Sequence, residues 1–127
     1  MVFLTKNNMI LFRYYDKEAR KDYAWYDSSN IVYSECDDHE NELKTLRVVF
    51  KKGDMYEYEN VDVKDYVMFM AGGVDGSNGK SFYKFIRTKY DGLKLEPVDL
   101  NELKEKLEAL REKKNNEKGQ ADEKTQA

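Results

Sequence analysis

The residues best suited to chemistry lie between Ala71 and Tyr90, where a glycine-rich loop leads into a short basic and aromatic helix. Four of the chain's seven glycines fall there within eight positions: Gly72, Gly73, Gly76 and Gly79. Glycine tolerates positive φ and leaves the backbone amides accessible, so a loop of this composition suits an anion. Free N–H groups at a helix start beside Lys80 would add to a cradle for a phosphate or a carboxylate. The stretch predicts a binding site and leaves the identity of its ligand open.

The helix expected after this loop would carry its cations and a phenol on one face. The cations of that face are Lys80, Lys84 and Arg87, and Tyr83 and Tyr90 lie beside them. Phe82 and Ile86 fall on the other side and are predicted to be core. A guanidinium binds a phosphate through two parallel hydrogen bonds, which makes Arg87 the leading candidate for a ligand-binding residue. An ion pair between Arg87 and a carboxylate such as Glu57 is the structural alternative.

Two tyrosines and three loop residues complete the predicted site. Tyr56 and Tyr58 lie two positions apart on a predicted strand, so they share a face and could stack on a base, at roughly 1 to 3 kcal/mol for each base. They could equally pack against the N-terminal part of the chain as cross-strand aromatics. Backbone amides of Gly76 and Gly79 and the side chain of Asn78 would complete the phosphate cradle.

The motifs that would indicate catalysis are incomplete. The segment VDGSNGKS is similar to the phosphate-binding loop of nucleotide hydrolases, but Val74 stands where that loop needs its first glycine. Cys36 and His39 form a lone C-x-x-H pair without the second pair that a zinc site requires. A nucleophile and base formed by these two residues stays an alternative. We predict a binding protein rather than an enzyme, with no catalytic residue, no metal and no cofactor.

Length and composition bound the remaining possibilities. The chain of 127 residues can form one domain with a modest core, and its charged fraction of 37% requires a large solvated surface. A formal charge of −3 argues against a protein that coats nucleic acid through bulk charge. The single cysteine cannot form an internal disulfide. Polar side chains interrupt the N-terminal residues too often for a signal peptide or a membrane span, so we expect a cytoplasmic protein.

Hydrophobic periodicity predicts a sheet with helices. The strand candidates are residues 9–15, 23–26, 31–34, 44–51 and 55–58. The last two flank a turn at 52–54 and should form a hairpin. Residues 63–70 are predicted as a short helix capped by Asp62, and the acidic segment 35–43 as a loop. The fold class is therefore α+β, a small antiparallel β-sheet with a packed helix, plus a C-terminal helix.

The C-terminal helix is predicted by leucines at spacings of three, four and three. These leucines are Leu100, Leu103, Leu107 and Leu110. An isolated helix of this length is marginal in water, so the leucines must pack on the domain or on a second copy of the chain, and we favour a homo-oligomer. The predicted division is an N-terminal aromatic β extension at 1–27, a domain at 28–97, this helix at 98–114 and a disordered tail at 115–127.

A series of short motifs in fixed order runs from Ser28 to Tyr90. They are Ser28-Ser29-Asn30-Ile31, Leu46-x-Val48-x-Phe50, Gly53, Tyr56-Glu57-Tyr58, Val61, Val63, Tyr66, Ser77-x-Gly79-Lys80, Phe82-Tyr83, Ile86-Arg87 and Tyr90. In this order the span resembles the KTSC domain, a small family found in bacterial and phage proteins and at the C-terminus of some lysyl-tRNA synthetases. The resemblance implies an α+β domain without established enzyme activity, for which RNA binding has been suggested. The longer acidic loop, the 72–76 segment and both terminal elements depart from the family pattern.

These observations favour a protein that holds a phosphate-bearing ligand at the loop and helix of residues 72–87. A nucleotide, and in particular a cyclic signalling nucleotide, is preferred to a longer RNA because the chain is acidic and its basic patch is small. A phage-type protein that sequesters signals of host defence would fit this description. The alternatives are an RNA-binding KTSC-like module, and a protein-interaction module that inhibits a host protein.

Overall fold

The strands form one antiparallel sheet in sequence order. The computed structural model describes residues 10–28 and 30–126, with side chains for 10–28 and 30–117, so residues 1–9 of the predicted extension lie outside the described residues. The strands are β1 (Ile10–Asp16), β2 (Lys21–Tyr26), β3 (Ile31–Asp37), β4 (Leu43–Phe50), β5 (Met55–Asp62) and β6 (Gly92–Lys94). The helices are α1 (Val63–Met70), α2 (Asn78–Phe82), which continues into a π-helical turn (Tyr83–Arg87), and α3 (Leu100–Gln126). The architecture is α+β, as predicted.

The predicted hairpin is formed by β4 and β5. Leu46 and Val48 alternate with Arg47 along β4, and both apolar residues are fully buried on one face. The turn between the strands needs Gly53, which has a φ of 98°. A side chain there would also lie 2.9 Å from the carbonyl oxygen of Val98. The alternation of apolar and polar residues along β4 and the glycine in the turn therefore predict this hairpin correctly.

The prediction of a loop at 35–43 is wrong at its start, because β3 continues to Asp37. Glu35 and Asp37 both form ion pairs with Arg47 on the neighbouring strand. Cys36, between them, faces the opposite side of the sheet and is 2% exposed. The strand thus alternates charged and buried positions, and its acidic side chains are stabilised by a cation that is distant in the sequence.

The main core lies between the sheet and the two short helices. It is formed largely by Ala24, Tyr26, Ile31, Leu46, Val48, Tyr58, Val61, Tyr66, Phe69, Phe82 and Ile86. Helix α1 begins where predicted, and the Asp62 carboxylate accepts a hydrogen bond of 2.8 Å from the backbone N–H of Lys64. This packing fixes the segment from α1 to the π-helical turn against β5.

Helix α3 covers the opposite face of the sheet. The buried side chains there are Tyr14, Tyr23, Trp25, Tyr33, Val49 and Leu103. The indole N–H of Trp25 donates to the carbonyl of Leu103 at 3.2 Å, and Leu107 and Leu110 are half-buried in the same cluster. Three of the four leucines thus pack on their own sheet, which is the intramolecular alternative that the spacing left open. Leu100 remains 38% exposed, and self-association stays a prediction.

Helix α3 is longer than the sequence-based division, which ended it at residue 114 and assigned 115–127 to a disordered tail. The added residues are mostly strong helix formers. Contacts to β1 also hold this part of the helix, since the Tyr14 hydroxyl donates to Glu117 at 3.0 Å and Lys114 donates to the Arg13 carbonyl at 3.2 Å. Among the described residues, no helix combines the length and the apolar composition needed to cross a membrane.

Candidate functional site

A cleft lies where residues from five parts of the chain meet beside β5. It is lined by Asn30, Phe50, Asp54, Tyr56, Tyr58, Arg87, Tyr90, Asp91 and Gly92. Its volume of about 500 Å³ falls within the range of roughly 300 to 1,000 Å³ that is usual for small-molecule sites. Three residues predicted to bind ligand, Tyr56, Tyr58 and Arg87, meet in this cleft.

Aromatic rings form one wall of the cleft. The ring of Tyr56 lies edge-on to Phe50, with 5.8 Å between the centroids, and Tyr58 contacts Phe82 in the same way at 5.7 Å. Phe50 and Phe82 are themselves 5.4 Å apart, which joins the four rings into one cluster. Tyr58 is 4% exposed, whereas Tyr56 is half-buried and offers more of its ring to the cleft. Among the described residues 10–27 of the N-terminal extension, none is a ring partner of either tyrosine.

Glycine at position 92 allows β6 to lie close to this wall. Gly92 is the register partner of Tyr58, and a Cβ atom on it would lie 2.6 Å from the Tyr58 ring. Such a contact is shorter than any real carbon contact, so a side chain here would force the strand or the ring to move. The glycine therefore allows the start of β6 to pass beside Tyr58, next to Asp91 in the cleft lining.

Tyr90 connects the cleft to the start of helix α1. Its hydroxyl donates to the Asp65 carboxylate at 2.6 Å and accepts from the backbone N–H of Asp62 at 2.9 Å. Lys89 pairs with the other oxygen of Asp65 at 2.9 Å. These bonds fix the ring of Tyr90 on a rigid element, so this side of the cleft is held in place before any ligand binds.

Among the described residues, Arg87 is the one cation in the cleft lining. It lies on the π-helical turn, a geometry that is often found at functional sites. Its side chain is exposed, and its guanidinium carbon lies 5.9 Å from the centroid of the Tyr83 ring. The Arg87 charge also acts on Tyr58, since burial raises the pKa of that phenol and the nearby cation opposes the rise. Glu57, the alternative partner considered for Arg87, instead bonds Arg47 at 2.9 Å.

Four polar or charged side chains of the cleft form no hydrogen bond or ion pair with another described residue. They are Asn30, Asp54, Arg87 and Asp91. Within the described part of the chain, none of the four forms a side-chain hydrogen bond or an ion pair. Arg47 on the sheet shows the contrast, because it binds three carboxylates: Glu35, Asp37 and Glu57. The hydrogen-bonding capacity of the cleft is therefore available to a ligand.

The polar side chains of the glycine-rich loop bond to the backbone of the loop and of helix α1. The Asn78 side chain is 1% exposed and donates to the carbonyls of Phe69 and Met70 at 2.8 and 3.2 Å, which satisfies the C-terminal end of α1. The Asn78 Oδ1 accepts no hydrogen bond from any described group. The hydroxyl of Ser81 donates to the Ser77 carbonyl at 2.6 Å and accepts from the N–H of Val74 at 2.9 Å. The loop thus binds α1 to α2, and the NH₂ group of Asn78 is committed to this contact.

The other predicted ligand-binding residues lie outside the cleft lining. Lys80 is exposed and lies 3.5 Å from Asp75 in the loop. Lys84 lies over the ring of Phe85, with 5.4 Å from its Nζ to the centroid. The loop glycines predicted to offer amides, Gly76 and Gly79, are half-buried. The structure therefore divides the predicted site into a cleft group around Arg87 and a loop group around Lys80.

Cys36 and His39, the possible nucleophile and base, are separated by the sheet. Burial raises the pKa of the Cys36 thiol to about 12, and the sulfur faces the core. His39 is exposed on the following loop, where its Nε2 lies 2.9 Å from the hydroxyl of Thr45. A buried thiol with a raised pKa is a poor nucleophile, so this pair offers no chemistry to the candidate site.

Sequence reasoning did not predict six residues of the cleft. They are Asn30, Phe50, Asp54, Tyr90, Asp91 and Gly92. The Asp91-Gly92 pair is a turn signal directly after Tyr90, and it could have indicated that the chain reverses beside the site. No local sequence pattern could have placed Asn30 or Asp54 in the cleft. Asn30 directly precedes β3 and Asp54 directly precedes β5, so the two are far apart in the sequence.

Comparison with known proteins supports the resemblance seen in the sequence. The family model of the KTSC domain matches residues 27–90. No curated protein matches the chain. The matched span includes Tyr56, Tyr58, Arg87 and Tyr90 and ends just before Asp91, so nearly the whole cleft belongs to it.

Proposed function

The chain belongs to the KTSC family, and from the cleft in its matched domain we infer that the protein binds a nucleotide without transforming it. The observation that carries this proposal is that the guanidinium of Arg87, beside an aromatic wall, forms no hydrogen bond or ion pair with any described residue. A guanidinium bonds phosphate through two parallel N–H groups. A ring such as Tyr56 offers a face to a base.

The remaining groups of the cleft suit the other parts of a nucleotide. Asp54 and Asp91 only accept hydrogen bonds, so they match ribose hydroxyls or exocyclic amino groups, which donate. Asn30 can both donate and accept. The proposed ligand would thus place its phosphate at Arg87, its base against Tyr56 and its donor groups towards the two carboxylates.

We propose further that the ligand is a cyclic signalling nucleotide, which the protein sequesters as a phage-type antagonist of host defence. A small ligand is favoured over a long RNA because RNA binding usually neutralises several phosphates. The cleft lining offers one cation, and the chain carries a formal charge of −3. The protein would then act by lowering the free concentration of its ligand.

A thermal-shift panel tests this proposal. The wild-type protein is heated with mononucleotides, cyclic mono-, di- and trinucleotides, NAD-derived metabolites and a short single-stranded RNA. A ligand at 100 times its dissociation constant stabilises the native state by about 2.7 kcal/mol, which raises the melting temperature measurably. The shift should vanish in Arg87→Ala and persist in Lys84→Ala, which removes a cation outside the cleft. A shift that Arg87→Ala leaves intact contradicts the proposal, and a shift with RNA alone favours the RNA-binding alternative.

A further inference from the structure

The cleft lining carries more negative than positive charge, which is unusual for a phosphate site. Arg87 is its cation, and Asp54 and Asp91 are its two anions. On the basis of the proposed function, we propose that Asp54 and Asp91 select nucleotides with a single negative charge, such as 3′,5′-cyclic mononucleotides, over nucleoside triphosphates. The two aspartates would be specificity-determining residues of the cleft.

Neither of these two carboxylates forms an ion pair with a cation of the described residues. Three other aspartates each lie within 3.5 Å of a lysine nitrogen: Asp38 with Lys44, Asp65 with Lys89 and Asp75 with Lys80. Asp54 and Asp91 have no such partner among the residues that the structure describes. A ligand in the cleft would therefore meet the full field of both carboxylates, reduced only by solvent screening.

The balance of charges favours one phosphate and opposes further ones. Coulomb energy grows with the ligand's charge, so each added phosphate oxygen charge is repelled by two carboxylates and attracted by one guanidinium. A 3′,5′-cyclic mononucleotide carries one phosphodiester charge, which Arg87 can neutralise alone. A triphosphate would place its remaining negative charges near Asp54 or Asp91 with no cation of the lining left to meet them.

The same two carboxylates can accept hydrogen bonds from a cyclic nucleotide. A carboxylate accepts hydrogen bonds and cannot donate them. A 3′,5′-cyclic mononucleotide keeps its 2′-hydroxyl and its base amino groups as donors. A triphosphate carries the same donors, so these hydrogen bonds add affinity for either ligand, and the repulsion of extra phosphates is the contact that opposes the triphosphate.

Binding is measured by calorimetry without magnesium, with EDTA present, for 3′,5′-cyclic AMP against ATP and 3′,5′-cyclic GMP against GTP. The wild type should bind the cyclic member of at least one pair about tenfold or more tightly than the triphosphate. Asp54→Asn and Asp91→Asn should each raise triphosphate affinity by about fivefold. Glu96→Gln makes the same change in charge at an exposed residue outside the lining and should leave the ratio unchanged.

The outcomes separate this proposal from the function on which it rests. If the wild type binds a nucleotide through Arg87 but binds the triphosphate as tightly as the cyclic form, the proposed selection by the aspartates is wrong. The proposed nucleotide site is not contradicted by that result. The same holds if neither Asn variant alters the ratio, or if Glu96→Gln alters it equally. If no nucleotide binds the wild type, both the proposed function and this inference are wrong.

Discussion

The guanidinium of Arg87 lies over the ring of Tyr83, one turn earlier on the same π-helical segment, with 5.9 Å from Cζ to the centroid. The contact orients the arginine through a cation–π interaction and uses none of its N–H donors. Tyr83 is 59% exposed and lies outside the cleft lining. We therefore expect Tyr83 to act on the cleft by positioning Arg87.

Tyr83→Ala is expected to weaken nucleotide binding by about twofold to fivefold, because an exposed cation–π contact is worth about 0.5 to 1 kcal/mol. Calorimetric titration with the ligand found in the thermal-shift panel measures the change. The melting temperature without ligand should stay nearly constant, since Tyr83 is exposed. Tyr83→Phe keeps the ring and should bind like the wild type. Equal losses in both variants would show that the hydroxyl, rather than the ring, is what matters.

Asn78→Ala should destabilise the fold by about 2 to 3 kcal/mol, because the buried carbonyls of Phe69 and Met70 lose their donor. Denaturation by urea measures this loss. Asn78→Asp, which also lacks the NH₂ group, should be at least as harmful. Lys80→Ala changes an exposed neighbour and should cost less than about 0.5 kcal/mol. A stable Asn78→Ala protein that has lost nucleotide binding would instead place Asn78 in the ligand cradle.

Leu103→Ala is expected to cost about 2 to 4 kcal/mol of stability, since Leu103 is buried between α3 and the sheet. The matched change Leu100→Ala, at a residue 38% exposed, should cost about 1 kcal/mol or less. Urea denaturation at two protein concentrations a hundredfold apart separates the two ways of burying the leucines. The Leu103→Ala loss should not depend on concentration if the helix docks within one chain. A loss that grows with protein concentration would support the homo-oligomer.

Asp38 predicts a dependence of stability on pH. Hydrogen bonds from the Lys44 ammonium, the Glu40 N–H and the Tyr15 hydroxyl hold the pKa of this carboxyl well below its usual value. Because the pKa is lower in the folded state, the stabilisation is present above the ordinary aspartate pKa and is lost as the pH falls below about 4.

The measurement for Asp38 is the difference in unfolding free energy between wild type and Asp38→Asn. At pH 7 we expect about 1 kcal/mol or less in favour of the wild type, as for other surface pairs, and a smaller difference at pH 3. Asp27→Asn removes an exposed carboxylate with no ion pair in the described structure and should show no such trend. A difference for Asp38→Asn that grows on acidification would contradict the argument.

Local patterns predicted those parts of the fold whose partners are close in the sequence. The β4–β5 hairpin follows from strict alternation around Gly53, and α1 from its cap at Asp62. The end of β3 could not be predicted in this way, because Glu35 and Asp37 look like loop residues until Arg47 is placed beside them. Strand β6 has only three residues and was not predicted at all.

The candidate site was predicted in part. Arg87, Tyr56 and Tyr58 were identified from residue type and from the family resemblance, and they line one cleft. Asn30 and Asp91 are brought to the same cleft by strand order and by the turn after the π-helical segment, which no local pattern encodes. Asn78 was predicted to bind ligand because it is a polar residue in a glycine-rich loop; its NH₂ group donates to the end of α1, and its role in ligand binding stays a prediction.

An amide NMR titration shows most directly whether a nucleotide binds in the cleft. ¹⁵N-labelled protein is titrated with 3′,5′-cyclic AMP, 3′,5′-cyclic GMP and a cyclic dinucleotide, and the residues whose signals shift with saturation are mapped. We expect shifts for at least one ligand at Tyr56, Tyr58, Arg87 and Gly92, with little change at Gly76 or along α3. Shifts confined to the loop around Gly76, or no saturable shift with any of the three, would contradict this expectation.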